Sequence, residues 1–201
     1  MPSRKARNTQ TLVLGGLALL ALVVVIVALQ PRPAPIYWLI RGAALIGYLT
    51  IFLSILSSVY LIPLVRFFGR PFIKVHHVAS ITGLVAMLVH PIAIAWNSRS
   101  LNVFVPRFDS LRVFLTLAGR VVWPLVGIAA LAAWLRKPLG KNWRVIHYLN
   151  YLAFWLVTAH AILIGSNFQS WVMRGLAIVL ALITVAVLVQ KRLPKRKKAR
   201  R

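Results

Sequence analysis

The chain has 201 residues, 60% of them hydrophobic, with no cysteine and 25 Lys and Arg against a single acid, Asp109. A soluble domain cannot hide that much apolar surface, so the class is integral membrane, and the missing thiols exclude disulfides, iron–sulfur clusters, thiolate metal sites and c-type heme attachment. The lack of any intramembrane Asp or Glu argues against proton pumps and ion-coupled transporters, and the formal charge of +24 reads as positive-inside topology and attraction to anionic lipid, not as nucleic-acid binding.

Residues 1–10 form a basic N-terminal stretch with Arg4, Lys5 and Arg7. The first predicted span covers residues 11–29. It resembles a signal peptide at its start, but the apolar run is too long for an ordinary h-region and "LQPRPAP" is a poor cleavage site, so the expectation is an uncleaved helix. "PRPAP" at 31–35 is a tight turn. The second span covers residues 36–62 and ends at Pro63, and the third covers 72–96. A polar loop, "NSRSLNVFVPRFDS", follows. The fourth span runs over 113–135 with a kink expected at Pro124, the fifth over 143–165 and the sixth over 170–189. The basic tail 191–201, "KRLPKRKKARR", completes the chain. The predicted fold is therefore an all-α integral membrane bundle of six transmembrane helices over residues 11–190, each span judged against the roughly 17–25 apolar residues a bilayer requires.

Charge sets the orientation. With a cytoplasmic N-terminus, the inner segments hold Arg4, Lys5 and Arg7, then Arg66, Arg70 and Lys74, then Arg136, Lys137, Lys141 and Arg144, then eight cationic residues from Lys191 onward. Only Arg32, Arg41, Arg99, Arg107, Arg112, Arg120 and Arg174 fall on the other side or within helices. The prediction is a multi-pass protein of the inner (plasma) membrane with both termini cytoplasmic.

All five histidines fall in two of these spans: His76, His77 and His90 in the third, His147 and His160 in the fifth. A lone histidine usually satisfies itself on a backbone carbonyl or a neighbouring helix. Five confined to two helices point further. His76 and His90 are 14 residues apart, and His147 and His160 are 13 apart, so each pair spans roughly 20 Å along its helix at about 1.5 Å per residue. A single-ion site would instead place ligands at i, i+3 or i+4. The third and fifth spans run in the same direction. His76 and His147 then share a depth on the inner side, and His90 and His160 share one on the outer side. Facing imidazoles at one depth suit a bis-His heme, and two such levels suit two stacked hemes that carry electrons across the membrane. Fourteen residues keep His76 and His90 on one face. Thirteen do not, so the His147–His160 helix needs a local change of pitch, a bend or a different side-chain reach. His77 is also 13 residues from His90, so it stays beside His76 as the inner ligand, with phase favouring His76.

The segments "HHVASITGLVAMLVH" and "GKNWRVIHYLNYLAFWLVTAH" resemble the ferric reductase-like transmembrane domain family, which includes NADPH oxidases, ferric reductases and the MsrQ-type heme-binding membrane subunit. The likeness covers about residues 40–190. It implies that His76, His90, His147 and His160 ligate the iron of two b-type hemes. Oxidases and ferric reductases of the family continue into a flavin and NADPH domain. No GxGxxG or room for one is present here. The expectation is an oxidoreductase membrane subunit fed by a separate flavin reductase or by quinol, passing electrons to an outer-side reductase or a small-molecule acceptor. Two other readings stay open: a cytochrome of the b561 kind, and a heme-free scaffold or transporter whose histidines only pack.

Supporting residues follow from charge and position. Arg41, Arg99, Arg107 and Arg112 at the outer side, and Lys74, Lys141 and Arg144 at the inner side, are candidates to pair with heme propionates. Arg41 and Arg120 stand out because arginine within a span is costly. Phe154 and Trp155 lie midway between His147 and His160 and are expected either to fill the gap between hemes or simply to pack. Gly83 lies midway between His76 and His90, where a missing side chain would admit a flat macrocycle.

Overall fold

The computed structural model describes residues 34–68 and 71–192. The first predicted span, residues 11–29, and the last nine residues of the basic tail lie outside the described residues. Those described are helical, with no strand among them: α1 (Pro35–Val59), α2 (Leu61–Phe68), α3 (Pro71–Ser98), α4 (Leu111–Thr116), α5 (Gly119–Trp134), α6 (Trp143–His147), α7 (Leu149–Ile164) and α8 (Trp171–Arg192). Short 3-10 turns at Leu101–Phe104, Gly140–Asn142 and Ser166–Phe168 join them. Among the described residues, four helical stretches are long and apolar enough to cross a membrane: Pro35–Val59, Ile73–Ser98, Gly140–Ile164 and Trp171–Gln190. Exposed tryptophans sit near helix ends at Trp38, Trp96, Trp134 and Trp171, as amphipathic rings do at the two membrane–water interfaces.

Local chemistry explains the helix boundaries. Pro35 occupies the first turn of α1, where its missing N–H costs nothing, and Ala34 ahead of it is extended. The second predicted span divides at Tyr60, whose N–H bonds the Leu56 carbonyl. Pro63, three residues on, has no N–H to return to the Val59 carbonyl, so the chain restarts as the short helix α2. The third span is one helix of 28 residues that runs through Pro91.

The fourth predicted span is not one helix. It breaks at Leu117–Ala118 into the six-residue α4 and the 16-residue α5. The break is a tightening of the turn: Arg120 N–H bonds the Leu117 carbonyl at 2.9 Å and Val121 N–H bonds that of Ala118 at 2.9 Å, both three residues back instead of four. Alone, α5 is about 24 Å long at 1.5 Å per residue, short of the roughly 30 Å hydrocarbon core. The interruption falls before Pro124, which lies inside α5, so proline is not the breaking residue.

α1 and α3 form the most extensive helix pair, and glycines let them approach. A Cβ on Gly83 would fall 2.8 Å from Thr50 Oγ1, and one on Gly47 would fall 3.2 Å from Met87 Cγ. Gly83 therefore admits α1 rather than a macrocycle. Leu45, Tyr48, Ile51, Phe52 and Ile55 of α1 pack against Tyr151 and Phe154 of α7 and Ala177 and Val187 of α8 to form the core. Phe154 is 0% exposed and stacks on Tyr48 at 4.9 Å between ring centroids. Trp155 Nε1–H donates to Thr184 Oγ1 on α8 at 2.8 Å. Both residues thus have packing partners in the bundle.

Candidate functional site

A cavity of about 560 Å³ opens between α1, α3, α5 and α7, and His90, His160, Arg41 and Arg120 all line it. Its size lies within the roughly 300–1,000 Å³ typical of cofactor and ligand sites. The two histidines of the predicted outer level therefore meet in one space. Each ring is held in the same way. His90 Nδ1 lies 2.9 Å from the Ile40 carbonyl of α1, and His160 Nδ1 lies 2.6 Å from the Thr116 carbonyl of α4. A carbonyl only accepts, so Nδ1 carries the proton in both rings and the Nε2 lone pair is the one left for a ligand. This is how metal-ligating histidines are oriented: one nitrogen donates to a fixed acceptor and the other faces the metal.

The Thr116 carbonyl is available because of the α4–α5 break. In a continuous helix Arg120 N–H would bond it, but Arg120 N–H turns to Leu117 instead. Gly119, the first residue of α5, also lies against the imidazole: a Cβ there would fall 3.2 Å from His160 Nε2. Leucine-rich sequence on both sides hid this break. The signal was the Ala118–Gly119 pair inside an apolar run.

Arg41 is 4% exposed. Its Nε–H donates to Asn167 Oδ1 at 2.6 Å, and Asn167 Nδ2–H points back to the Arg41 carbonyl at 3.4 Å. The Ser166–Phe168 turn thus fastens the guanidinium to the cavity wall. Arg120 Nη1–H donates to the Val105 carbonyl at 2.9 Å. Trp123 also lines the cavity, and its buried Nε1–H has no hydrogen-bond partner among the described residues. Asn167, Gly119 and Trp123 were not singled out from sequence. Asn167 lies 126 positions from Arg41, a pairing that no local pattern reveals.

The other end is built differently. His76 Nδ1 lies 2.9 Å from Ser57 Oγ on α1. Ser57 Oγ also lies 3.1 Å from the Ser54 carbonyl, to which it can donate, an arrangement in which His76 Nδ1–H is the donor to Ser57. His77 is exposed, its ring centroid 5.8 Å from that of His76. His147 Nδ1–H donates to the Ala129 carbonyl of α5 at 2.9 Å. The chain then tightens at Tyr148, whose N–H is shared between the Arg144 and Val145 carbonyls at 3.2 and 3.1 Å. A local change of pitch therefore does separate His147 from α7, which carries His160. His76, His77 and His147 do not line the 560 Å³ cavity. Lys74, Lys141 and Arg144 are exposed near them, and Arg99, Arg107 and Arg112 are exposed at the opposite side. Among the described residues, no three His, Cys, Asp or Glu side chains group as a metal-ion site would.

Arg107 and Asp109 form a two-pronged ion pair in the exposed loop, Nε and Nη2 reaching the carboxylate at 2.9 and 3.0 Å. The hydrogen bonds from Arg107 hold the Asp109 carboxyl below its ordinary range, and Asp109 in turn raises Arg107. No family model, no curated protein and no solved structure matches this chain, so the likeness to ferric reductase-like domains rests on the motif residues alone.

Proposed function

We propose that the chain is a b-type heme protein of the inner membrane that passes electrons from an inner donor, a separate flavin reductase or quinol, to an acceptor on the outer side. The observation that carries the reading is the convergence of His90 and His160 on one cofactor-sized cavity, each with Nδ1–H donated to a carbonyl. Two imidazoles with fixed tautomers on different helices would hold a heme through their Nε2 atoms. Arg41 and Arg120 in the cavity wall suit the anionic propionates. When bound, heme supplies one-electron exchange at its iron. The protein's part is to hold the two rings, keep their Nδ1 protons on Ile40 and Thr116, and surround the site with the apolar bodies of Met87, Val122 and Val157.

A second heme at the inner level, between His76 and His147, belongs to the same proposal. Its support is the residue spacing, which puts both histidines toward the inner ends of their predicted spans, and the anchoring of each ring at Nδ1 by a neighbouring oxygen. Orientation with both termini cytoplasmic completes the reading and rests on the cationic residues at the inner loops.

The test is a reduced-minus-oxidised absorption spectrum of purified protein, with a pyridine hemochrome assay for stoichiometry. The expected result is a b-type α-band and two hemes per chain. A single heme would confine the function to the His90–His160 level. A spectrum without a Soret band would leave a heme-free membrane scaffold as the reading.

A further inference from the structure

We infer that Gly119 is a positioning residue, keeping clear the flank of His160 Nε2 where a broad ligand bound to that nitrogen would extend. The inference rests on the proposed ligand role of His160 and adds the device that makes room for it. The tightened turn at Leu117–Ala118 does two things at once. It withholds Arg120 N–H from the Thr116 carbonyl, which His160 Nδ1–H then takes at 2.6 Å. It also brings residue 119 over the same ring, where a Cβ would stand 3.2 Å from Nε2, 3.4 Å from Cε1 and 3.5 Å from Cδ2. At the first distance the neighbour must give way, and the ring cannot easily do so because Thr116 anchors its other nitrogen. The three distances put that Cβ over the face of the ring above Nε2, to the side of its in-plane lone pair, so a side chain at 119 takes the space that a broad, flat ligand on Nε2 would need. The glycine is not there for backbone freedom: Gly119 does not have the positive φ that would require it, so an alanine would fit the backbone there.

The same helix holds its own control. Gly127 lies two turns further along α5, and a Cβ there meets nothing within 4 Å. Gly119→Ala, Gly119→Val, Gly127→Ala and Gly127→Val are compared in full-length, membrane-inserted protein by two measurements. In heme-free protein, the rate at which diethyl pyrocarbonate modifies His160 is followed by peptide mass. In heme-loaded protein, retention of heme and the carbon monoxide reactivity of its ferrous form are followed by absorption. Gly119→Val should slow His160 modification several-fold. It should also weaken heme retention on the order of 10–100-fold, the range met when groups that orient a ligating histidine are disturbed, and let ferrous heme bind carbon monoxide. Gly119→Ala should lie between Gly119→Val and wild type, and both Gly127 variants should match wild type. Equal behaviour of the 119 and 127 variants in the modification assay would overturn the inference. Slowed modification in a protein that takes up no heme would uphold the role of Gly119 and overturn the heme reading instead. If Gly119→Val fails to insert, Gly119→Ala, which favours the helix, decides the matter by the same two measurements.

Discussion

The two ends of the bundle carry the same residue types and differ in what surrounds them. At one end His90 and His160 line a single cavity beside a buried arginine. At the other, His76 leans on Ser57 and His147 on Ala129, while the adjacent His77 is exposed. Every anchored ring is held at Nδ1 by a neighbouring oxygen, so anchoring alone does not make a site. The distinguishing feature is the interrupted helix α4–α5, which supplies both an acceptor and an open approach to His160. On the proposed reading, a ligand level depends on a backbone irregularity between the histidine helices as much as on the histidines.

The largest expected effect breaks the comparison at its strong end. His90→Ala and His160→Ala should each remove the same heme component and halve the heme content of purified protein. Loss of different components by the two variants would mean that they do not share an iron. Next comes the weaker end. His147→Ala and His76→Ala should remove the remaining component together, whereas His77→Ala should leave it, because His77 is exposed and His76 faces α1. If His147→Ala leaves the spectrum intact while His160→Ala bleaches it, the chain has one level and the contrast between the ends is complete.

Smaller effects sharpen how the strong end is held. Gly83→Val should destabilise the α1–α3 crossing by about 1–3 kcal/mol through overpacking, since even a Cβ would fall 2.8 Å from Thr50 Oγ1. Gly42→Ala, with nothing within 4 Å of its Cβ, should be close to neutral in the same thermal unfolding assay. Arg41→Met should cost about 1.5–3 kcal/mol, the usual value of a hydrogen bond to a charged group, and should loosen the Ser166–Phe168 turn as seen by hydrogen exchange. The smallest effect belongs to the exposed ion pair. Asp109 is held below the ordinary carboxylate pKa of about 4 by Arg107. Its contribution is complete above that value and is lost as pH falls through the lowered pKa. Asp109→Asn should remove this acid-side dependence of stability and leave heme content unchanged.

The helical class and most of the long apolar helices were readable from hydropathy. Four of the predicted spans correspond to helical stretches of membrane-crossing length, and of the pitch change, bend or different side-chain reach that the 13-residue histidine spacing left open, a change of pitch is found at Tyr148. The convergence of His90 and His160 followed from counting residues along parallel helices. Other features could not be read this way. Hydropathy treats residues 113–135 as one apolar run, because a turn that tightens from four-residue to three-residue hydrogen bonds changes no side chain. The choice between glycines went to Gly83, which stands midway between histidines in sequence, when the glycine beside an imidazole is Gly119. Spacing gives depth along a helix but not which neighbouring helix a residue faces. Arg41 was singled out for the cost of a charge in a span, yet its anchor, Asn167, sits in a turn far away in sequence.

The pairing of Asp109 with Arg107 has a consequence for measurement. The chain has no other acid and no cysteine, and that one acid titrates below its ordinary range. A carboxyl-directed label therefore has one side-chain target, the exposed Asp109 in the loop after α3, besides the terminal carboxylate. Applied from one face of sealed vesicles, such a label tells which side of the membrane carries that loop: modification of Asp109 from the outer face fits the predicted orientation, and modification only from the inner face reverses it.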